Sequence, residues 1–175
     1  MKAPYKTEDQ IQAVRARAAK MRDAAKWDLM ITLSYELGLR PLEIALAERN
    51  HFRDGEFRIR IGHTKGKQGR SLPISSEIQA SVDAFMGERQ GRVFLNQKGQ
   101  PFDAQGVSKA MRRLYSMAGQ VGSCYSGRRT AGQRMLEKRE NILVIQAFYG
   151  HHSPLTTLSY LSVSENQLRQ AMFGN

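Results

Sequence analysis

Four short segments of the chain combine residue types that could act on a phosphate ester. Arginine offers permanently charged, forked donors that suit phosphate oxygens, and lysine or histidine can move protons. A tyrosine hydroxyl can attack as a nucleophile once it is deprotonated. The four segments are residues 38–44 (GLRPLEI), 64–70 (TKGKQGR), 128–130 (RRT) and 150–160 (GHHSPLTTLSY).

Each segment taken alone also has an ordinary structural interpretation. Residues 38–44 could be a helix junction with a surface Arg–Glu pair, and residues 64–70 could be a solvated basic turn. Residues 128–130 could be a charged first helical turn, and residues 150–160 could be a C-cap glycine followed by a short capped helix. The order of the four segments along the chain is therefore more informative than any one of them.

In this order the segments resemble the sequence blocks of the tyrosine recombinase family, which includes phage integrases and chromosome-dimer-resolving recombinases. The resemblance spans residues of about 7 to 172. Arg128 precedes His151 by 23 residues and His151 precedes Tyr160 by 9, as in the family pattern. The residues that carry the resemblance are Arg40 with Glu43 (first arginine box), Lys65 (hairpin lysine), Arg128 (second arginine), Gly150-His151, Thr156-Thr157 and Tyr160 (nucleophile block).

The resemblance implies a role for each catalytic candidate. Arg40 and Arg128 would stabilise the charge that a pentacovalent transition state places on the non-bridging phosphate oxygens. Tyr160 would form a 3′-phosphotyrosine, Lys65 would protonate the departing 5′ oxygen, and His151 would contact the phosphate or position the nucleophile. Because the covalent bond retains the energy of the broken phosphodiester, rejoining would require neither a metal nor ATP.

One position departs from the family pattern, in which the second arginine box reads His-x-x-Arg. The residue three before Arg128 is Tyr125. A phenol can donate a hydrogen bond to phosphate, but its ordinary pKa of about 10 prevents proton shuttling near neutrality. If the family's histidine assists proton transfer, its replacement would slow the reaction by a factor on the order of 10² to 10⁴. Tyr125 could also be a packed aromatic residue.

Alternative nucleophiles and a metal site are less well supported by the sequence. Adjacent His151 and His152, in a chain with four histidines and no HExxH motif, make a poor metal site. We therefore expect neither a metal nor another cofactor. The tyrosines that lack the Gly-His and Thr-Thr setting of Tyr160 are Tyr5, Tyr35, Tyr115 and Tyr149.

The net charge favours a polyanionic partner. Lys and Arg number 27 against 16 Asp and Glu, which gives a formal net charge of +11. Such a charge favours a nucleic acid, DNA or RNA, through phosphate contacts, although solvated surface residues alone could account for it. Residues predicted to contact the DNA backbone outside the catalytic set are Lys67, Arg70 and Arg129, with Arg112, Arg113 and Arg134 as further candidates.

Cysteine content and hydropathy point to a cytoplasmic protein, and the family resemblance implies association with the nucleoid. Cys124 is the single cysteine, so no disulfide framework is possible within the chain. No stretch approaches the roughly 18 consecutive apolar residues of a membrane helix, and the N-terminus lacks the apolar core of a signal peptide. No membrane association is expected.

Helices and one hairpin must position the catalytic candidates. A capping box at Thr7–Gln10 starts a first helix, and Trp27, Met30, Ile31, Ser34 and Leu37 share one face of a second. Gly38 interrupts that helix, so Arg40 lies at a bend before Pro41. Alternation over residues 56–61 predicts a strand that pairs with residues 71–74, which puts Lys65 in or beside a β-hairpin.

The later part of the chain is predicted to be mainly helical. A capping box at Ser76 and Gln79 and an apolar face over 107–118 indicate two core helices, and 93–95 indicates a short strand. Further helices are predicted near 127–138, 142–149, 154–161 and 165–172. We therefore expect a mainly α fold with a small antiparallel β-sheet (α+β), the catalytic fold of tyrosine recombinases. Residues 1–175 would form a single catalytic domain, without an N-terminal core-binding domain.

The resemblance also implies partners and leaves two rival functions. A tyrosine recombinase would be a monomer when free and a tetramer on double-stranded DNA, with accessory DNA-bending proteins as possible partners. The first rival is a catalytically weak or inactive DNA-binding regulator with the same fold, which Tyr125 favours. The second is a basic RNA- or ribosome-associated protein that resembles the family by chance.

Overall fold

The computed structural model describes residues 3–59 and 69–161 together with residues 169, 172 and 173, and most of these residues are helical. A small antiparallel sheet is inserted between the third and fourth helices, with strand order β1-β2-β3. This architecture confirms the predicted fold class. The helices are α1 (Glu8–Ala19), α2 (Ala24–Tyr35), α3 (Pro41–Leu46), α4 (Ser76–Met86), α5 (Ala104–Met117), α6 (Cys124–Glu137), α7 (Ile142–Tyr149) and α8 (Pro154–Leu158), and the strands are β1 (Phe52–Arg53), β2 (Glu56–Ile59) and β3 (Arg70–Pro73).

The sheet is held to the helical layer by its apolar face. Phe57 in β2 lies opposite both Phe52 in β1 and Leu72 in β3, and all three side chains are buried. The rings of Phe52 and Phe57 are 4.8 Å apart. The two-residue strand β1 was not predicted, because it is too short to show an alternating pattern. The predicted hairpin tip, with Lys65 and Lys67, lies outside the described residues, as do residues 60 and 61 of the predicted strand.

Two predicted elements differ from the structure at their boundaries. The N-cap of α4 is Ser75, whose hydroxyl accepts from the backbone N–H of Ile78, so the predicted cap at Ser76 is wrong by one residue. Over residues 93–95 there is an isolated bridge between Leu95 and Pro101 instead of a strand. By contrast, the capping box of α1 at Thr7 and Gln10 is confirmed.

Helix α6 starts three residues earlier than predicted. Ser123 is in an extended conformation, and its hydroxyl accepts from the backbone N–H of Tyr125, so the helix begins at Cys124. Arg128 therefore lies in the second turn of the helix, and Tyr125 lies one turn before it on a neighbouring part of the same surface. The sequence did not reveal where this helix starts, because Ser123 follows a glycine and no periodic apolar pattern begins beside it.

Close contact between α2 and α6 fixes the position of that second turn. A side chain on Gly127 would collide with the hydroxyl of Ser34, so the two helices approach closely at this point. The same hydroxyl donates to the carbonyl oxygen of Cys124 at 2.8 Å. Of the predicted face of α2, Met30, Ile31 and Ser34 are buried and Trp27 is partly buried. The position of α6 along α2 thus determines where the side chains of α6, including Arg128, are placed.

The C-terminal helices end with specific caps. Helix α7 has the predicted bounds and ends at Gly150, whose φ of 60° is the left-handed conformation that glycine tolerates. Helix α8 begins at Pro154, but it ends at Leu158 rather than at residue 161. Tyr160 consequently lies in a turn beyond the helix, where its N–H donates to the carbonyl of Thr157 at 2.9 Å. The predicted helix 165–172 falls largely outside the described residues.

None of the helices in residues 3–59 and 69–161 is long and apolar enough to cross a membrane.

Candidate active site

Four of the predicted catalytic side chains meet where α3 begins and α7 and α8 end. Arg40 caps the start of α3, Arg128 projects from α6, His151 follows the C-cap of α7, and Tyr160 follows α8. The α2–α3 loop closes one side of this cluster. Gly38 in that loop has φ of 54°, and the ring of Phe148 occupies the space where a side chain would lie. Only glycine suits this position, because it needs both a left-handed backbone and no side chain.

Arg128 forms the floor of the site. Its side chain is fully buried, and its two terminal nitrogens donate to the carbonyls of Gly38 and Tyr149, the latter at 2.7 Å. Its Nε has no hydrogen-bond partner among the described residues. Burial, and then the neighbouring guanidiniums of Arg40 and Arg70, lower the pKa of Arg128 to about 9. The group is therefore still cationic at neutral pH.

Arg40 lies beside Arg128 and is partly exposed to solvent. Its Nη2 donates to the carbonyl of Tyr149 at 3.2 Å, and its Nη1 is 3.3 Å from Oε1 of Glu43. The carbonyl of Tyr149 therefore accepts from both arginines. Two cations that share one neutral acceptor repel each other, so the site is suited to an anion that contacts both.

A buried carboxylate compensates part of this positive charge. Glu43 is only 1% exposed, and its Oε2 accepts from the backbone N–H of Arg40 at 2.6 Å and from Nη2 of Arg70 at 2.9 Å. Burial of an unpaired carboxylate would be strongly unfavourable, so Glu43 depends on these partners.

Arg70 occupies a different environment from the one predicted. It was expected on the surface as a DNA-backbone contact, but its side chain is only 8% exposed. Besides Glu43, it donates to the carbonyls of Gly38 and Phe148. Burial lowers the pKa of Arg70, while Glu43 opposes that shift. The sequence held one signal for this position, since the two-residue period of β3 puts Arg70 on the same face as buried Leu72.

The hydrogen bonds of His151 define its tautomer. Its Nε2 is 3.3 Å from Nη2 of Arg128, and its Nδ1 is 3.0 Å from the hydroxyl of buried Thr157. Because a guanidinium can only donate, Nε2 must accept, so Nδ1 carries the proton and donates to Thr157. Burial, followed by the arginines, lowers the pKa of His151 to about 4. The imidazole is thus neutral at physiological pH.

Tyr160 lies over this cluster in a partly exposed position. Its ring is 5.1 Å from that of His151, and the guanidinium carbon of Arg128 is 5.8 Å from the centre of the tyrosine ring. The carbonyl of Tyr160 accepts from Nε of Arg129 at 3.3 Å, and the same arginine donates to the carbonyl of Ala3 at 2.7 Å. Arg129, which was predicted to contact DNA, thus ties the turn of Tyr160 to the N-terminal segment.

Tyr125 stands in an open groove rather than in the core. Its side chain is 42% exposed, and burial of the remainder raises the pKa of its phenol. The groove has a volume of about 490 Å³ and is lined in part by Arg40, Lys109 and Arg112. A second groove of about 530 Å³ continues on the other side of Arg112 and Tyr125. The phenol is therefore accessible to a ligand bound at Arg40.

The remaining site predictions concern residues without a described position. Lys65 and Lys67 lie outside residues 3–59 and 69–161, so their roles stay predictions. Within the described part of the chain, no group of three or more His, Cys, Asp and Glu side chains is arranged to hold a metal ion.

Comparison with known proteins relates this arrangement to one family. The family model described as "Phage integrase family" matches residues 5–167. The tyrosine recombinase XerC 2 of Ralstonia nicotianae is 28% identical over 176 residues, which cover 91% of this chain and 50% of that protein. A XerC of Leptospira interrogans is 25% identical over 163 residues, which cover 89% of this chain and 51% of the relative. The chain thus spans about half the length of the curated relatives it matches.

Solved structures share the fold. The crystal structure of XerA recombinase superposes with a TM-score of 0.82 at 20% identity, covering 97% of this chain and 64% of that one. The catalytic domain of bacteriophage HP1 integrase superposes with a TM-score of 0.74 at 19% identity, covering 99% of this chain and 95% of that one. The described fold therefore corresponds to nearly all of an integrase catalytic domain.

Replacement of Glu43 should show how strongly the arginine cluster depends on it. Glu43→Gln keeps the shape but removes the charge, and we expect a loss of about 3 kcal/mol in the free energy of unfolding, because a buried pair loses one partner. The matched control is Glu48→Gln, whose partner Arg92 is 3.5 Å away and whose side chain is one-third exposed. That control should cost less than about 1 kcal/mol. Urea denaturation measures both, and equal losses would contradict the central place of Glu43.

The lowered pKa of His151 predicts a pH dependence of stability. The ordinary pKa of about 6.5 applies to the unfolded chain and the value of about 4 to the folded chain. Between these values the unfolded chain binds more protons, so stability is complete above pH 6.5 and falls as the pH decreases towards 4. Since the ring is only half-buried, we expect a loss on the order of 1 kcal/mol.

Comparison with His151→Gln isolates this contribution. Urea denaturation at pH 7.0 and 4.5 should give a smaller pH difference in the variant than in the wild type. Imidazole resonances in NMR spectra should show His151 titrating near pH 4. A midpoint above pH 6 would contradict the buried, arginine-facing position.

Proposed function

The chain belongs to the phage integrase family, and from that premise we propose that it is the catalytic domain of a site-specific tyrosine recombinase, which cleaves and rejoins DNA through a 3′-phosphotyrosine. The observation that supports this most directly is the shared acceptor beneath the site. Arg40 and Arg128 both donate to the carbonyl of Tyr149, while neutral His151 and Tyr160 lie against the same floor. A phosphodiester is the kind of anion that such a pair of fixed guanidiniums would bind.

In the proposed reaction the phosphate enters from the groove beside Arg40 and Tyr125. The partly exposed guanidinium of Arg40 binds a non-bridging oxygen, and the buried charge of Arg128 stabilises the additional negative charge of the pentacovalent state. The phenol oxygen of Tyr160 attacks phosphorus, and its proton passes to a neutral acceptor. That acceptor is water from the open groove, because Nδ1 of His151 carries a proton and its Nε2 accepts from Arg128, so His151 instead positions the ring of Tyr160.

Completion of the step requires a proton on the leaving oxygen. The bond between phosphorus and the 5′ oxygen breaks, and Lys65 is proposed to protonate that oxygen, as the family resemblance implies. In the reverse direction a 5′ hydroxyl of another strand attacks the phosphotyrosine and Tyr160 leaves. The number of phosphoester bonds is unchanged, so the exchange needs no ATP, and the charges of Arg40 and Arg128 take the part that a metal would otherwise have in stabilising the transition state.

The proposed partner is double-stranded DNA. The net charge of +11 supports this, as do the basic residues Lys109 and Arg112 along the groove that begins at Arg40. Lys67 and Arg129 remain proposed backbone contacts. We also propose that the free protein is a monomer that assembles into a tetramer on DNA, with accessory DNA-bending proteins as optional partners and the nucleoid as its location.

One observation favours a second candidate function, a DNA-binding regulator with little or no cleavage activity. Tyr125 stands where the family pattern has histidine, and a phenol whose pKa is raised cannot shuttle protons at neutral pH. Such a protein would bind DNA in a salt-sensitive manner without forming a covalent adduct. The recombinase and the regulator therefore differ in one measurable product, the covalent protein–DNA adduct.

Covalent trapping tests the proposed chemistry. Nicked duplexes from the DNA flanking the coding sequence let the cleaved fragment diffuse away, so an adduct accumulates. We expect a protease-sensitive adduct on denaturing gels with the wild type and none with Tyr160→Phe. The matched control is Tyr5→Phe, since Tyr5 is more exposed than Tyr160 and is remote in sequence from the nucleophile block. Tight DNA binding without an adduct in the wild type would select the regulator.

Tyr125, at which the chain differs from the family pattern, gives a second prediction. Tyr125→His introduces a side chain that can carry a proton near neutrality, and we expect adduct formation to become about 10 to 100 times faster. Tyr125→Phe serves as the control and should be slower than the wild type, because it removes the hydroxyl that faces the groove. Rates from the same trapping assay at saturating protein measure the effect. Equal rates for all three proteins would exclude a role for residue 125 in proton transfer.

A further inference from the structure

We propose that Tyr149 is a positioning residue of the cleavage reaction, because its single ring contacts Arg128, His151 and Tyr160 and holds them in one stack. This inference rests on the proposed recombinase function. Tyr149 is not one of the residues that the family resemblance assigns to the site, and in the sequence it is one of the tyrosines outside the Gly-His and Thr-Thr setting.

The ring of Tyr149 packs against three polar side chains. It lies nearly parallel to the imidazole of His151, at 4.9 Å and an interplanar angle of 22°. The guanidinium carbon of Arg128 is 4.5 Å from its centre, within the range of a cation–π contact. The ring of Tyr160 is 5.2 Å away with a tilt of 53°. An aromatic residue buried only for its apolar area would face aliphatic neighbours, whereas this one is packed among three proposed catalytic groups.

The hydroxyl of Tyr149 fixes the ring in this position. It donates to the carbonyl oxygen of Arg128 at 2.8 Å, so the ring is attached to the backbone of the residue it packs against. The hydroxyl also lies where Gly132 in α6 has no side chain, and a methyl group there would collide with it. The ring is thus stacked on His151, and its hydroxyl fits in a space in α6 that the glycine at position 132 leaves open.

The backbone of Tyr149 acts on the same groups. Its carbonyl accepts from Arg40 and Arg128, as described above. The left-handed Gly150 follows at once and turns the chain so that His151 folds back over the ring of Tyr149. One residue therefore contacts Arg40, Arg128, His151 and Tyr160. Because a displacement of about 1 Å in a reacting group can reduce a rate by about 10²-fold, the flat ring should control the alignment of His151 and Tyr160.

Two substitutions separate the flat ring from its hydroxyl. Tyr149→Phe keeps the stack, and we expect adduct formation within about threefold of the wild type, whereas Tyr149→Leu should slow it by about 30-fold or more. DNA affinity, measured separately, should change by less than about threefold in both. The control is Phe94→Leu, which truncates another fully buried aromatic side chain that packs against Phe85 away from the site.

NMR spectra of the free protein test the position of the Tyr149 ring independently of DNA cleavage. The stacked ring should shift the imidazole proton resonances of His151 upfield, and His151→Gln assigns them. This shift should persist in Tyr149→Phe and disappear in Tyr149→Leu, while Phe94→Leu should leave it unchanged. If Tyr149 contributed only to stability, the upfield shift would not distinguish Tyr149→Leu from Phe94→Leu.

Gly132→Ala provides a second route if Tyr149→Leu does not fold. It leaves every proposed catalytic residue and Tyr149 itself unchanged, yet it should displace the ring, alter the His151 resonances and slow adduct formation. Wild-type-like cleavage by Tyr149→Leu, or by Gly132→Ala with altered His151 resonances, would overturn the inference, as would an equal loss in Phe94→Leu. Absence of any adduct in the wild type would instead overturn the proposed function, and this inference with it.

Discussion

Repulsion between three neighbouring guanidiniums is the constraint around which the site is built. Arg128 is fully buried, Arg70 is nearly so, and Arg40 is at the surface, but among the residues that the structure describes a single carboxylate, Glu43, lies between them. The protein compensates with neutral acceptors. The carbonyl of Gly38 is shared by Arg70 and Arg128, and that of Tyr149 is shared by Arg40 and Arg128. These shared acceptors hold like charges close together and leave an excess of positive charge that an anion can neutralise.

The turn after helix α2 and the end of helix α7 supply those acceptor carbonyls. The carbonyl of Gly38 is available to the arginines because the left-handed conformation of this residue turns the chain after α2. Phe148 packs in the space where a side chain on residue 38 would lie. Tyr149 presents its carbonyl because α7 ends there, and carbonyls in the last turn of a helix have no partner within the helix. The close contact of Gly127 with Ser34 then places Arg128 within reach of both. Ordinary helix-ending rules thus create the acceptors on which the arginines depend.

The sequence predicted local structure well where the determinants are local. The capping box at Thr7 and the bounds of α7 depend on residues within one or two turns, and both agree with the structure. The mainly α fold with a small sheet follows from the change of period between residues 56 and 61 and its surroundings. The start of α6 and the end of α8 were wrong because they depend on single hydrogen bonds, those of Ser123 and of Thr157, that no periodic pattern reveals.

Contacts distant in sequence explain what the sequence could not predict about the site. Arg70 was placed on the surface because its partner Glu43 lies 27 residues away and its other acceptor, Phe148, lies 78 residues away. Tyr149 was passed over because its ring meets Arg128 and Tyr160 only in the folded chain. By contrast, Arg40, Arg128, His151 and Tyr160 were found through a family pattern in sequence order, and the structure brings these four together. Their catalytic roles remain predictions.

The shortness of α8 has a consequence for local stability. This five-residue helix carries few backbone hydrogen bonds of its own, and the turn of Tyr160 is attached to the rest of the protein chiefly through Thr157 and Arg129. Segments with so few internal bonds open at a much lower free energy than the core. Amide hydrogen exchange in this segment should therefore be governed by local openings, which release the turn while α2 and α6 stay folded. The proposed nucleophile is thus carried by the part of the site that can rearrange most easily, and the arginines by the part that can rearrange least.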